Sequence, residues 1–228
     1  VKCNWAQICG ICLPPVTFIT WWCQAKSGLL YFVKLGAVTS IHLGGGLTIY
    51  LASSAGGVLA STLIHALDLA IWVGGSPNPV SVSASIRRLF PGKRGPLPPP
   101  EVKARFNVED LFAALVRFDN GSTYILEGNW RDDSPPPHCF EMITTKGKLN
   151  SEPFTVTVDE NEQVVDKTPK LQENNGWGES VRNQDTDIIQ RLREGRPWSM
   201  RNPRQLLNLQ KLIDGCYESA KTEREIIF

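Results

Sequence analysis

Three side chains capable of chemistry share one stripe of a single apolar segment. Ser61, His65 and Asp68 stand at i, i+4 and i+7 between Ser53 and Gly75, a spacing that puts all three on one face of a helix. A hydroxyl, an imidazole and a carboxylate are the parts of a nucleophilic triad, but a serine in mid-helix has no spare main-chain N–H groups for an oxyanion hole and no sharp elbow to expose it. The hydrolase reading therefore fails on geometry. What is left is a polar stripe on a covered helix, where a pocket would open. By itself His65 reads equally well as a core histidine bonded to a neighbour, and Asp68, one turn on, either orients the His65 ring or pairs with a basic group elsewhere.

The segment that carries them reads as one buried helix. Ser53 or Ser54 can cap its start, Gly74 and Gly75 can stop it, and Pro77 forbids continuation. Leu59, Leu63, Ala66, Leu69, Ala70 and Val73 form a broad apolar face that Ile64, Leu67, Ile71 and Trp72 extend nearly around the cylinder. Before it, Ala37 to Tyr50 alternates like a strand and is interrupted by Gly44-Gly45-Gly46, which lacks the spacing and the following helix of a phosphate loop. After it, Pro79 to Leu89 alternates as a half-buried strand, and Pro91 to Pro100 is a proline-rich excursion.

Hairpins follow. Glu109 to Trp130 is the clearest, with Leu111, Ala113, Leu115 and Arg117-Phe118 leading into Asp119-Asn120-Gly121 and Thr123, Ile125, Glu127 and Asn129 running back; Cys139 to Thr145 pairs with Lys148 to Ser151, and Phe154 to Val158 with Gln163 to Asp166. Two amphipathic helices close the chain, Glu179 to Glu194 and one starting at Asn202-Pro203. This order specifies an α+β fold: an open, predominantly antiparallel β-sheet of about five to eight strands, with helices packed on one face.

The chain has 228 residues, 24 basic and 23 acidic, with 42% hydrophobic residues and six cysteines. That suffices for a core, and a net charge of +1 argues for neither nucleic acid nor an acidic membrane as partner. The irregularly spaced cysteines suit reduced thiols in a cytoplasmic, reducing compartment. Residues 1–26 form an atypical leader: Cys3, Cys9, Cys12 and Cys23 lie there, Pro14-Pro15 breaks its apolar run, and the Cys9–Cys12 pair has no second pair at zinc-site spacing. The expected division is this poorly packed leader and one domain over residues 27–228. No metal-ligand set emerges.

Taken together and in order, Gly56-Gly57-Val58-Leu59, His65-Ala66-Leu67-Asp68, Glu109-Asp110, Phe118-Asp119-Asn120-Gly121, Trp130, Thr145-Lys146-Gly147, Leu192 to Pro197 and Ile213 to Lys221 resemble the C-terminal domain of the glucose-fructose oxidoreductase, inositol dehydrogenase and MocA family. The resemblance implies a GAPDH-like α+β domain that follows a Rossmann domain, binds a sugar or cyclitol, and forms a homodimer through its sheet. It implies NAD or NADP as hydride carrier in the full-length protein and none held by this chain alone. It makes His65 the catalytic residue, with Ser61, His65, Asp68 and Trp130 as substrate contacts. The family's aspartate, however, aligns with Ser61, and the glycine two before the histidine with Leu63; neither a Glu-Lys-Pro motif nor a GxGxxG loop occurs. Two functions are therefore expected to compete: the substrate-binding and dimerising domain of an NAD(P)-dependent oxidoreductase, inactive by itself, or a non-catalytic relative that binds sugars or proteins.

Overall fold

The computed structural model describes residues 32–38, 56–89, 106–129, 140–151, 153–170, 177–196 and 203–228, the first of these segments by its main chain. The leader, His42, the triple glycine, Ser53, Ser54, the proline-rich excursion and Trp130 lie outside the described residues, as does the side chain of Trp177.

Alternation of period two builds most of the sheet. Strand β1 is Phe32–Val38, β2 Pro79–Arg87, β3 Leu111–Phe118, β4 Thr123–Asn129, β5 Phe140–Thr144, β6 Gly147–Ser151, β7 Phe154–Glu160, β8 Gln163–Asp166 and β9 Ile226–Ile227. They form one sheet in the order β8-β7-β6-β5-β1-β4-β3-β2-β9. All neighbours are antiparallel except β1 and β4, which run parallel with Phe32 opposite Thr123. The fold is thus the α+β, open, predominantly antiparallel sheet the sequence predicts.

The turns have definite chemistry. Between β3 and β4 Gly121 takes the left-handed conformation at φ 81°, and the Asn120 side chain accepts the main-chain N–H of Ser122. Between β7 and β8 both central residues, Asn161 and Glu162, have positive φ, the mirror-image turn whose twist matches paired strands.

Register puts the apolar residues on one face. Val82 lies opposite Val116, Val116 opposite Tyr124, Ala114 opposite Leu126, Met142 opposite Leu149 and Leu149 opposite Val156, and all of these are in one buried cluster. The helices α1, Ile64–Val73, and α3, Pro203–Thr222, contribute Leu67, Ala70, Ile71, Leu212, Ile213 and Cys216 to the same cluster. Helix α2, Trp177–Arg193, is amphipathic, but none of its described side chains is buried, and Leu192 is 62% exposed.

Three differences from the sequence reading have physical causes. Among the described residues the sheet has nine strands rather than five to eight, because a two-residue strand after α3 pairs with β2; so short a segment has no period to detect. Strand β1 pairs parallel with β4, a non-local contact that alternation cannot encode, while the predicted Ala37 to Tyr50 stretch lies, beyond Val38, outside the described residues. The segment before α1 is not α-helical: Leu59–Leu63 is wound as a π-helix, with the Ile64 N–H reaching the Leu59 carbonyl.

Candidate polyol-binding face of the central helix

The start of the π turn is fixed by a residue fifty positions away. The Glu109 carboxylate accepts the Gly57 N–H at 2.8 Å and the Leu59 N–H at 3.1 Å, and the Glu109 carbonyl accepts the Val58 N–H at 3.0 Å. Tyr217, on α3, donates its hydroxyl to the same carboxylate at 2.9 Å. Free N–H groups at a helix start are normally capped by a local side chain; here a buried glutamate does it, 7% exposed. The two glycines follow from this. A Cβ on Gly57 would fall on the Glu109 carbonyl oxygen and one on Gly56 on the Tyr217 hydroxyl. Burial first, and the neighbouring Glu109 charge second, push the Tyr217 phenol well above its ordinary range.

The far end is held from the same helix. Gly75 and Ser76 both take positive φ, and the Ser76 N–H returns to the Ile71 carbonyl at 2.8 Å. Gln205, near the start of α3, accepts the Ser76 hydroxyl at 2.8 Å and donates to the Asp68 carboxylate at 3.2 Å. The Tyr124 hydroxyl donates to the Ala70 carbonyl at 3.3 Å from beneath.

Between these grips the three candidate residues separate by environment. His65 is exposed, and Ser61 and Asp68 are half-buried. His65 and Asp68 both lie in the α-wound part and share a face. Ser61 lies in the π turn, whose i→i+5 winding shears the stripe that α spacing would give. Its hydroxyl donates to the Gly57 carbonyl at 2.7 Å and lies 3.5 Å from the Thr62 hydroxyl. Leu63 is fully buried in the core. Trp130, the fourth substrate contact implied by the resemblance, is outside the described residues.

Glu109, Tyr217 and Gln205 are the residues that the local sequence did not single out for this helix. Their only signal was indirect: paired glycines at a helix start, where a close approach is one reason for a residue without Cβ. A helix start is also the natural seat for an anion such as a pyrophosphate, and here Glu109 already fills it. The described residues thus do not fit a dinucleotide at that position. They include no group of three or more histidine, cysteine, aspartate or glutamate side chains able to hold a metal ion, and no helix long and apolar enough to cross a membrane.

An open, predominantly antiparallel sheet with helices on its buried face defines the class: an α+β domain of the GAPDH-like C-terminal type. Residues 45–150 match the GFO/IDH/MocA C-terminal domain. The fold of the chain is shared with levoglucosan dehydrogenase in complex with NADH and levoglucosan (TM-score 0.73, 18% identity, 98% of this chain and 64% of that one). It is shared as well with an oxidoreductase domain protein from Kribbella flavida (TM-score 0.73, 14% identity, 98% and 64%). A third is the aldose-aldose oxidoreductase from Caulobacter crescentus complexed with glycerol (TM-score 0.67, 16% identity, 92% and 58%). This chain spans about three fifths of the length of these proteins. No curated protein sequence matches it.

Proposed function

We propose that this domain binds a sugar or cyclitol for an NAD(P)-dependent oxidoreductase, with His65 and Asp68 facing the bound polyol and the hydride carrier, NAD or NADP, held by a different domain. One observation carries the reading. On a helix otherwise committed to the core, a histidine is left exposed, and an aspartate lies one turn further along the same face. An imidazole can pass a proton to or from a hydroxyl as its carbon gains or loses hydride, and a neighbouring carboxylate orients the ring.

In this reading the uncovered sheet face pairs with a second copy. Leu115 lies opposite Ile125 there, with Glu127 further along β4 and Ile143 two strands away on β5, and none of these four is buried. Apolar side chains on a sheet face that no described helix covers favour self-association.

Ser61 supports a second reading, a relative that binds without catalysing. A hydroxyl that donates to the Gly57 carbonyl does not replace a carboxylate in charge compensation. Hydride transfer separates the two. Joined to a family dinucleotide domain that supplies the lysine, the wild-type chain should be slow on every sugar and cyclitol, and Ser61→Asp faster by on the order of a hundredfold. Equal rates would mean that Ser61 is no lesion; no transfer in either would favour the binding-only relative.

A further inference from the structure

Helix α3 contributes a polar side chain at each end of the site helix: Tyr217 donates to the Glu109 carboxylate that caps its start, and Gln205 reaches Asp68 and Ser76 towards its end. The Gln205 amide is only 3% exposed, and its orientation is set by its partners. A carboxylate can only accept, so the NH2 group must face Asp68, at 3.2 Å to Oδ1 and 3.5 Å to the main-chain oxygen. That leaves Gln205 Oε1 for the Ser76 hydroxyl at 2.8 Å. Ser76 has φ 56°, a conformation that a residue with a Cβ seldom adopts without support. One buried amide therefore spans the middle and the end of the helix that presents His65.

We propose that Gln205 is a positioning residue: it holds the Asp68 carboxylate from α3 and thereby sets how Asp68 stands beside His65, three residues back on the same α-wound face. This rests on the reading of His65 and Asp68 as the polyol-binding pair. A residue that only filled space would not act on His65 through Asp68, and that distinction is measurable without any ligand.

The chain has three histidines, His42, His65 and His138, so the His65 ring signals are assignable by nitrogen-15 NMR from the one set lost in His65→Gln. Gln205→Leu should displace them, as should Asp68→Asn, and adding Gln205→Leu to Asp68→Asn should displace them no further, because the path is already cut. A second arm guards against misfolding. Gln205→Glu alone sets two carboxylates face to face and should lower the melting temperature. Adding Asp68→Asn reverses donor and acceptor and should restore the melting temperature, with the His65 signals staying where Asp68→Asn leaves them. The proposal is overturned if Gln205→Leu leaves the His65 ring signals in place, if it displaces them equally with and without Asp68, or if the reversed pair fails to recover stability. Levoglucosan titrated into the wild-type chain judges the underlying reading separately. An absence of binding would count against the sugar site and leave the His65 signals to decide on Gln205.

Discussion

Glu109 holds Gly57 through two interactions at once, its carboxylate taking the Gly57 N–H and its main chain occupying the space a Gly57 side chain would need. The site helix is therefore held at its start by a residue from the segment leading into β3. Charge-assisted bonds to otherwise unpaired buried N–H groups are among the stronger ones. Glu109→Ala should cost about 2–4 kcal/mol in urea unfolding, and Gly57→Ala should be at least as severe. A loss under about 0.5 kcal/mol for Glu109→Ala would show that water caps the helix equally well.

Cys216 on α3 is fully buried, and burial pushes its thiol up to about 12 from an ordinary 9.0. The unfolded chain thus releases this proton first as pH rises. Stability is whole below pH 9 and should fall between about 9 and 12, with Tyr217 adding to the loss because its phenol is also raised. In the native chain at pH 8 Cys216 should resist alkylation and label only after denaturation. Rapid native labelling at Cys216, read by mass spectrometry, would contradict the packing of α3.

How much of this was readable beforehand divides along the range of the interaction. The hairpins from Leu111 to Asp166 follow from alternation and from turn residues such as Gly121, which are local. That His65 and Asp68 share one helical face follows from their spacing, whereas the exposure of His65 does not. Ser61 lies on the predicted helical segment, but its π winding has no local sequence signal, and the residue that bonds the start of that turn, Glu109, is fifty positions away. The parallel β1–β4 pair and the two-residue β9 were likewise invisible, since neither has a period of its own. Gln205 escaped notice as one polar residue at the head of an amphipathic helix.

The place of Leu63 changes the design of the repair. From sequence alone Leu63→Gly belongs beside Ser61→Asp, to restore the family's glycine. In the structure Leu63 is core and packs near Gly128, whose Cβ position lies 3.7 Å from it. Leu63→Gly should therefore lower stability by about 3–5 kcal/mol, and Ser61→Asp alone is the informative change. A double variant as stable as wild type in thermal melts would show that the core closes over the gap.

Self-association should depend on the uncovered face. Leu115→Asp places a charge opposite Ile125 and should turn a dimer into a monomer near 25.3 kDa in light scattering. A wild-type chain that is monomeric at high micromolar concentration, or a variant that stays dimeric, would remove this face from the account.

The most direct measurement maps a bound polyol onto the nitrogen-15-labelled chain, using levoglucosan, L-sorbose, glycerol and myo-inositol in turn. Saturable shifts concentrated at Ser61, His65 and Asp68, and abolished by His65→Gln, are the expected result. Saturable binding that leaves those three residues unmoved, or no saturable binding by any of the four, would contradict a polyol site on this helix.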